Sequence, residues 1–230
     1  MVRLRRGPPP SGLLRYGASW TQRWLEIHGG ARTGDWATSS AKRILSEELR
    51  NLAYGKCAFC EGVLGVTTYL EIEHYIAKTV NPDLAFHWEN LFPICRLCNN
   101  AKSDSDHAGS LLKPDVDDPE IVLWLNPDSG ELQPKPFIDV AVGVRIERTI
   151  ELCGLQRGPL CTMRIQTMQH TIRWLERIAA RSRKLDKPLR EEWERMIEPT
   201  TPYKFVIRHV FETHGAPELA ALDRAAFEAS

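Results

Sequence analysis

The stretch "WENLFPICRLCNNAK", residues 88–102, decides how the middle of the chain is read. It carries Cys95-x-x-Cys98, and a matching Cys57-x-x-Cys60 lies upstream in "CAFCE", residues 57–61. A two-residue spacer lets both sulfurs of one knuckle reach the same ion, and two knuckles complete a tetrahedral four-cysteine site. Soft thiolates in that geometry favour Zn²⁺, although the spacing alone also fits an iron–sulfur cluster. Four thiolates close the coordination shell. The role expected of Cys57, Cys60, Cys95 and Cys98 is therefore structural: they clamp the start of the segment 57–98 to its end. Cys153 and Cys161 stand in apolar helical contexts and read as packing residues. Six cysteines in 230 residues are too sparse for a disulfide scaffold.

Between the two pairs, "GVTTYLEIEHYI" (residues 65–76) is rich in β-branched and aromatic residues with partial alternation, and reads as a strand or hairpin. "ICRLCNNAK" (94–102) is too polar for a strand and reads as the start of a short helix. His74 directly follows a carboxylate, Glu73. In an apolar alternating stretch a lone histidine reads first as a structural residue. An imidazole near its ordinary pKa of about 6.5 is also a suitable base at neutral pH. If β pleating holds, Glu73 and His74 point to opposite sides, so joint use of the two requires a bend, a bulge or a strand end there.

His74 lies inside the clamp, Asn90 stands ahead of the second pair, and Asn99 directly follows Cys98. With "CAFCE", "IEHYIAK" (72–78) and "WENLFPICRLCNNAK", this order and spacing resembles the HNH endonuclease family, whose ββα-metal fold is often braced by a four-cysteine zinc. The resemblance implies that His74 activates water and that Glu73 helps to bind Mg²⁺ or Mn²⁺, with Glu71 as its rival. Asn99 matches the third motif position and would supply an oxygen ligand suited to a hard cation, with Asn100 as the alternative. Asn90 matches the central position, where the family uses the side chain to fix the loop that orients the base. Lys78 and Lys102 are phosphate-holding candidates or plain surface lysines, and His87 and His107 are further participants to consider. Ala77 stands where the family often has proline, and "KSDSDHAGS" (102–110) departs from the Phe-Pro usual after the lysine.

The resemblance extends beyond this core. The basic, proline-containing N-terminus, "LLKPDVDDPEIVLWLNPDSGEL" (111–132) and "RTIELCGLQRGPLCTMRI" (148–165) look like the HNH nuclease subunits of Septu-type and retron-associated anti-phage systems. That implies cleavage of invading DNA beside an SMC- or ABC-like ATPase encoded nearby, in the bacterial cytoplasm. In a retron setting it also implies a reverse transcriptase and its DNA–RNA product. The chain has no P-loop of its own. Two other readings stay open: a stand-alone restriction-type HNH nuclease, and a zinc-stabilised nucleic-acid-binding adaptor without catalysis.

Working outward, residues 1–14 read as an extended tail with three prolines at 8–10. "SWTQRWLEIHG" places Trp20, Trp24 and Ile27 on one helical face, and "ATSSAKRILSEELRNLAYG" is an amphipathic helix closed by Gly55. "EIVLWL" (120–125) reads as a short strand before the "NPDSG" turn, with a second strand in 131–140. Beyond it the chain reads as helical. Leu160, Met163, Met168, Ile172, Leu175 and Ile178 form one apolar stripe over 159–183, and shorter helices follow near 188–198, 203–214 and 217–228. The tryptophan helix, the tail and the 159–183 helix are the candidate docking surfaces. The expected architecture is α+β and mostly helical, with a small ββα core (57–104) between N-terminal tail and helices (1–56), an acidic segment with short strands (105–145) and a helical C-terminal region (146–230).

The formal net charge of zero hides an uneven distribution. Residues 1–50 hold nine Lys/Arg against four Asp/Glu, and 145–190 hold eleven against four, whereas 101–140 hold three against nine. Local basic faces of this kind fit nucleic acid, and also fit ordinary solvated helices. No apolar run approaches a membrane span, and the N-terminus lacks an apolar signal core, so neither membrane insertion nor secretion is expected.

Overall fold

The computed structural model describes residues 1, 3–66, 68–102, 109–180 and 186–229. His107, Arg181 and Arg183 lie outside the described residues. The centre of the chain is a pair of short antiparallel strands, β1 (Leu70–His74) and β2 (Leu91–Cys95), with Leu70 opposite Cys95 and His74 opposite Leu91. Helix α1 (Ser11–His28) and helix α2 (Ser39–Leu52) precede them, and α3 (Arg96–Lys102) leaves β2 without a break. The polarity of "ICRLC" concealed the end of β2. Residues 91–95 are all buried, and the first exposed polar residue, Arg96, marks the change to helix.

Pleating sends the two faces of the strand pair into different cores. Ile72 and Leu91 join Leu13, Trp24, Leu45, Leu49, Phe86 and Trp88 under α1 and α2. Phe92 and Ile94 join the cysteine loops, Leu111, Leu112, Ile146 and Ile150. Helix α2 is held at both ends by local chemistry. Thr38 Oγ1 accepts the Ala41 N–H at 3.2 Å, and Gly55, with φ +75°, gives its N–H to the Arg50 carbonyl at 2.8 Å.

The N-terminal segment, expected as an extended tail over 1–14, is packed against the body and is shorter than expected. Met1 and Leu4 are buried, and α1 already starts at Ser11. Arg6 donates to the carbonyls of Trp88 (2.6 Å) and Leu91 (3.0 Å), pairs with Asp115 at 2.7 Å, and stacks over Trp88 and Phe92. These contacts dock the segment, while Pro10 keeps the extended backbone (φ −64°, ψ 153°) that a proline run favours. Trp24 is buried, and Trp20 and Ile27 pack half-buried beside it, so this face belongs to the core rather than to an open docking surface.

After the strand pair come α4 (Pro119–Val122), β3 (Leu123–Leu125), β4 (Leu132–Pro134), α5 (Val140–Leu152), α6 (Gly158–Ala180), α7 (Lys187–Ile197), α8 (Lys204–Thr213) and α9 (Pro217–Ala229). The expected strand over 120–125 is corrected in its first half. Pro119 starts a helical turn and Asp118 accepts the Glu120 N–H at 3.0 Å, so only Leu123–Leu125 pairs as strand. Within α6, Leu160 and Met168 are buried, while Met163 of the expected stripe is exposed. A third core, around Trp174, Leu189, Met196, Ile207 and Phe211, ties α6, α7, α8 and α9 together.

Candidate functional site

The four cysteine sulfurs come together in a buried cluster, all within 4.8 Å of one another. Four sulfurs about 2.3 Å from a tetrahedrally bound zinc would lie roughly 3.8 Å apart, and Cys60 Sγ stands 3.7 Å from Cys95 Sγ. The cluster therefore fits Zn²⁺ in size as well as in ligand type. Backbone N–H groups already point at the sulfurs: Cys95 N–H to Cys57 Sγ at 3.3 Å and Cys98 N–H to Cys95 Sγ at 3.4 Å. Burial pushes the Cys57 thiol up, whereas hydrogen bonds from the neighbouring cysteines, Cys57 first, pull Cys60 down. Cys153 and Cys161 are buried, free, and outside the cluster.

Beside the cluster, β1 ends and α3 begins to diverge from it. A small polar cleft opens there, lined by Glu73, His74, Ala77, Lys78, Thr79, Asn99 and Lys102. His74 is the last residue of β1, so the strand end lets two successive side chains serve one cleft. Its ring is buried, and Nε2 lies 3.0 Å from the Ala85 carbonyl, while Trp36 meets it edge-on at 4.6 Å. A carbonyl can only accept, so Nε2 carries the hydrogen and, in the neutral ring, Nδ1 is the acceptor. Burial first, and the charge of Lys78 second, push the His74 pKa down to about 3, so the ring is neutral at ordinary pH but a weaker base than the ordinary imidazole expected from the sequence.

On the facing side, the Glu73 carboxylate lies 2.5 Å from Lys102 Nζ, both side chains being buried. Lys102 is thus a partner of the acid rather than a surface lysine. Asn99 Nδ2 donates to Glu71 Oε2 at 2.6 Å, which identifies Oδ1 as the acceptor atom of its amide. Glu73 and Asn99 Oδ1 are hard oxygen donors of the kind Mg²⁺ or Mn²⁺ takes. Glu71 sits on the same strand face and orients Asn99; it does not line the cleft. Asn100 lies outside the cleft lining, as does His87, which is exposed and paired with Glu89.

Asn90 is buried and does not line the cleft. Its Oδ1 accepts the Ile76 N–H at 2.7 Å, and its Nδ2 donates to the carbonyls of Ile76 and Leu84, each at 3.0 Å. It therefore ties the loop that leaves His74 to the turn that carries the Ala85 carbonyl. Ala77 leaves that loop without a fixed φ, and these three bonds supply the restraint instead. Trp36, the Ala85 carbonyl and Arg157, whose Nη1 donates to Cys98 Sγ at 3.4 Å, escaped the sequence reading. Trp36 and Arg157 lie far from the motif in sequence; the Ala85 group is main chain and has no side-chain signature.

Two antiparallel strands running into a helix, with four cysteines and a histidine-bearing cleft, define a ββα-metal unit. Residues 57–105 match the HNH endonuclease family, and this part of the chain is an HNH domain. Over a longer stretch the chain is similar to Septu protein PtuB of Bacillus thuringiensis, with 33% identity over 121 residues, covering 52% of this chain and 44% of that protein. Septu protein PtuB of Bacillus mycoides is 31% identical over 97 residues, covering 34% of this chain and 33% of that protein. The matched region spans less than half the length of either relative. Among the described residues, no helix is long and apolar enough to cross a membrane.

Proposed function

We propose that this chain is a metal-dependent HNH endonuclease that hydrolyses phosphodiester bonds of DNA, as the nuclease of an anti-phage defence complex with an ATPase partner. The observation that carries the chemical part is the His74–Ala85 hydrogen bond. It holds the imidazole in the tautomer whose Nδ1 can accept a proton, in a cleft shared with Glu73 and Asn99. In this reading Nδ1 of His74 takes a proton from water as its oxygen attacks phosphorus and the P–O bond to the leaving oxygen breaks. Glu73 and Asn99 hold the divalent cation, which when bound supplies positive charge to the phosphorane and the leaving oxygen. Lys102 holds Glu73 in place until then, and Lys78, at the edge of the cleft, attracts the phosphate. Asn90 acts through the loop and touches no substrate.

The defence role rests on the relatives and on the resemblance of 111–132 and 148–165 to the Septu-type nucleases. Both relatives carry the Septu name, which favours that setting over a retron-associated one. The test is a plasmid nicking assay with Mg²⁺ or Mn²⁺, with and without the product of an adjacent ATPase gene. His74→Ala should abolish cleavage and keep the bound zinc. Cleavage by that variant at the wild-type rate would overturn the assignment, and full activity without any ATPase would favour a stand-alone nuclease.

A further inference from the structure

A zinc ion with four thiolates carries a net charge of about −2, which in a buried setting requires compensation. The backbone N–H groups of Cys95 and Cys98, which donate to the sulfurs of Cys57 and Cys95, offer partial dipoles only. Among the described residues, the cationic side chain that hydrogen-bonds a sulfur of the cluster comes from outside the HNH domain. Arg157, in the corner between α5 and α6, is half-buried and donates Nη1–H to Cys98 Sγ at 3.4 Å. The same nitrogen donates to the Gly154 carbonyl at 3.0 Å, which aims the guanidinium at the sulfur. Gly154, at φ +57°, lets the corner approach α3 so closely that a Cβ there would sit 3.3 Å from the Ala101 methyl. Among the described residues Arg157 has no carboxylate partner, so the cluster is its counter-ion.

Arg164 of α6 is a second arginine within electrostatic reach of the cluster, though it bonds no sulfur. It is buried, donates Nη1 to the carbonyls of Gly130 (3.1 Å) and Leu155 (2.8 Å), and has no hydrogen-bond partner at Nη2. Among the described residues no carboxylate forms a direct ion pair with it, although Glu61 acts on it at longer range. Burial lowers its pKa, and Coulombic interactions with Cys161, then the Glu61 carboxylate and then Cys60, oppose that.

We propose that Arg157 is a positioning residue for the metal centre: its guanidinium neutralises the zinc-bound thiolate of Cys98 and locks the α5–α6 corner onto the knuckle, so that zinc retention by the HNH domain depends on the C-terminal helical region. The proposal rests on the four-cysteine zinc and not on nuclease activity. Loss of such an outer partner commonly weakens metal binding by about 10–100-fold.

The test uses the full chain and two readouts. Zinc transfer to a chromogenic chelator should be on the order of tenfold faster from Arg157→Met than from wild type, with Arg157→Lys in between or close to wild type. In the Co²⁺-substituted protein the sulfur-to-cobalt charge-transfer band should move to lower energy in Arg157→Met, because the sulfur lone pairs lose a neighbouring cation, and should move back in Arg157→Lys. Far-UV circular dichroism checks that each variant is folded. Equal release rates and an unmoved band in folded Arg157→Met overturn the proposal. If the methionine variant does not fold, a lysine variant whose release matches wild type supports the charge role, and one that releases zinc tenfold faster overturns it. Wild-type protein without about one equivalent of zinc would overturn the metal centre itself, and the proposal with it.

Discussion

Asn90 satisfies both backbone groups of Ile76, accepting its N–H at 2.7 Å and donating to its carbonyl at 3.0 Å, and it donates to the Leu84 carbonyl as well. One side chain thus fixes the loop on one side of His74 and the turn on the other. Asn90→Asp keeps the acceptor but turns a carboxylate oxygen toward two carbonyls. Its expected cost is about 2–4 kcal/mol, from two lost hydrogen bonds and a buried charge without a donor. Asn90→Ala should cost less, because it removes the bonds without adding charge. Urea unfolding with and without Mg²⁺ checks the order, and an aspartate variant as stable as wild type would contradict the loop-fixing role.

The Lys102–Glu73 pair predicts how the cleft responds to cations. Lys102→Met removes the buried positive charge beside Glu73. Breaking a buried pair costs about 3–5 kcal/mol, and each kcal/mol lowers the melting temperature by roughly 2–4 °C in a chain of this size. In Mg²⁺-free buffer the variant should therefore melt well below wild type. Added Mg²⁺ should stabilise the variant more than it stabilises wild type, because the cation no longer competes with an ammonium for Glu73. A thermal-shift titration decides; identical Mg²⁺ shifts would remove Glu73 from the ligand set.

The parts of the site that declare themselves in the sequence are those whose chemistry is local. Cys-x-x-Cys spacing is a knuckle wherever it occurs, and Glu73-His74 and Cys98-Asn99 are neighbours along the chain. The α2 helix and the long α6 helix were legible for the same reason, since their apolar spacing is read within a few turns. What sequence could not give is contact across distance. The β2 strand hid behind the polar residues that follow it, and the N-terminal segment read as an extended tail because Arg6 finds its partners more than eighty residues away. Which of Glu71 and Glu73 faces the cleft was hidden as well, because it depends on which of them meets Asn99 of α3 and which meets Lys102.

His209 makes acid stability testable. It is buried against Trp124 (4.6 Å, edge-on) and Phe205 (5.9 Å, stacked), and burial, with Lys135 next, pushes its pKa down to about 4. Between that value and the ordinary pKa of about 6.5 the unfolded chain binds more protons than the folded one. Stability from this group is therefore complete above about pH 6.5 and is lost as the pH falls toward 4. His74, held at about 3, adds to the same loss and extends it lower. His209→Phe keeps an aromatic ring in the stack and removes the proton site. The melting temperature of the variant should fall less steeply than that of wild type between pH 6.5 and 4. Parallel curves would show that His209 does not resist protonation.

Asp223 is the most demanding charge in the C-terminal region. It is fully buried, pairs with the equally buried Lys204, and accepts from Arg208 Nε at 2.5 Å. Arg208 and Arg224 both continue to Glu120 of α4, so one carboxylate of α9 anchors a network joining α4, α8 and α9. Asp223→Leu leaves Lys204 with a carbonyl, that of Met196, and Arg208 with Glu120. The expected loss is about 3–5 kcal/mol, as for other buried pairs broken from one side. Adding Lys204→Met removes the orphaned ammonium, and the double variant should recover at least half of that loss, because two apolar side chains avoid the desolvation of both charges. Urea unfolding of the two variants and of Lys204→Met alone completes the cycle. Additive losses, with no recovery in the double variant, would mean that the pair contributes through packing and not through charge.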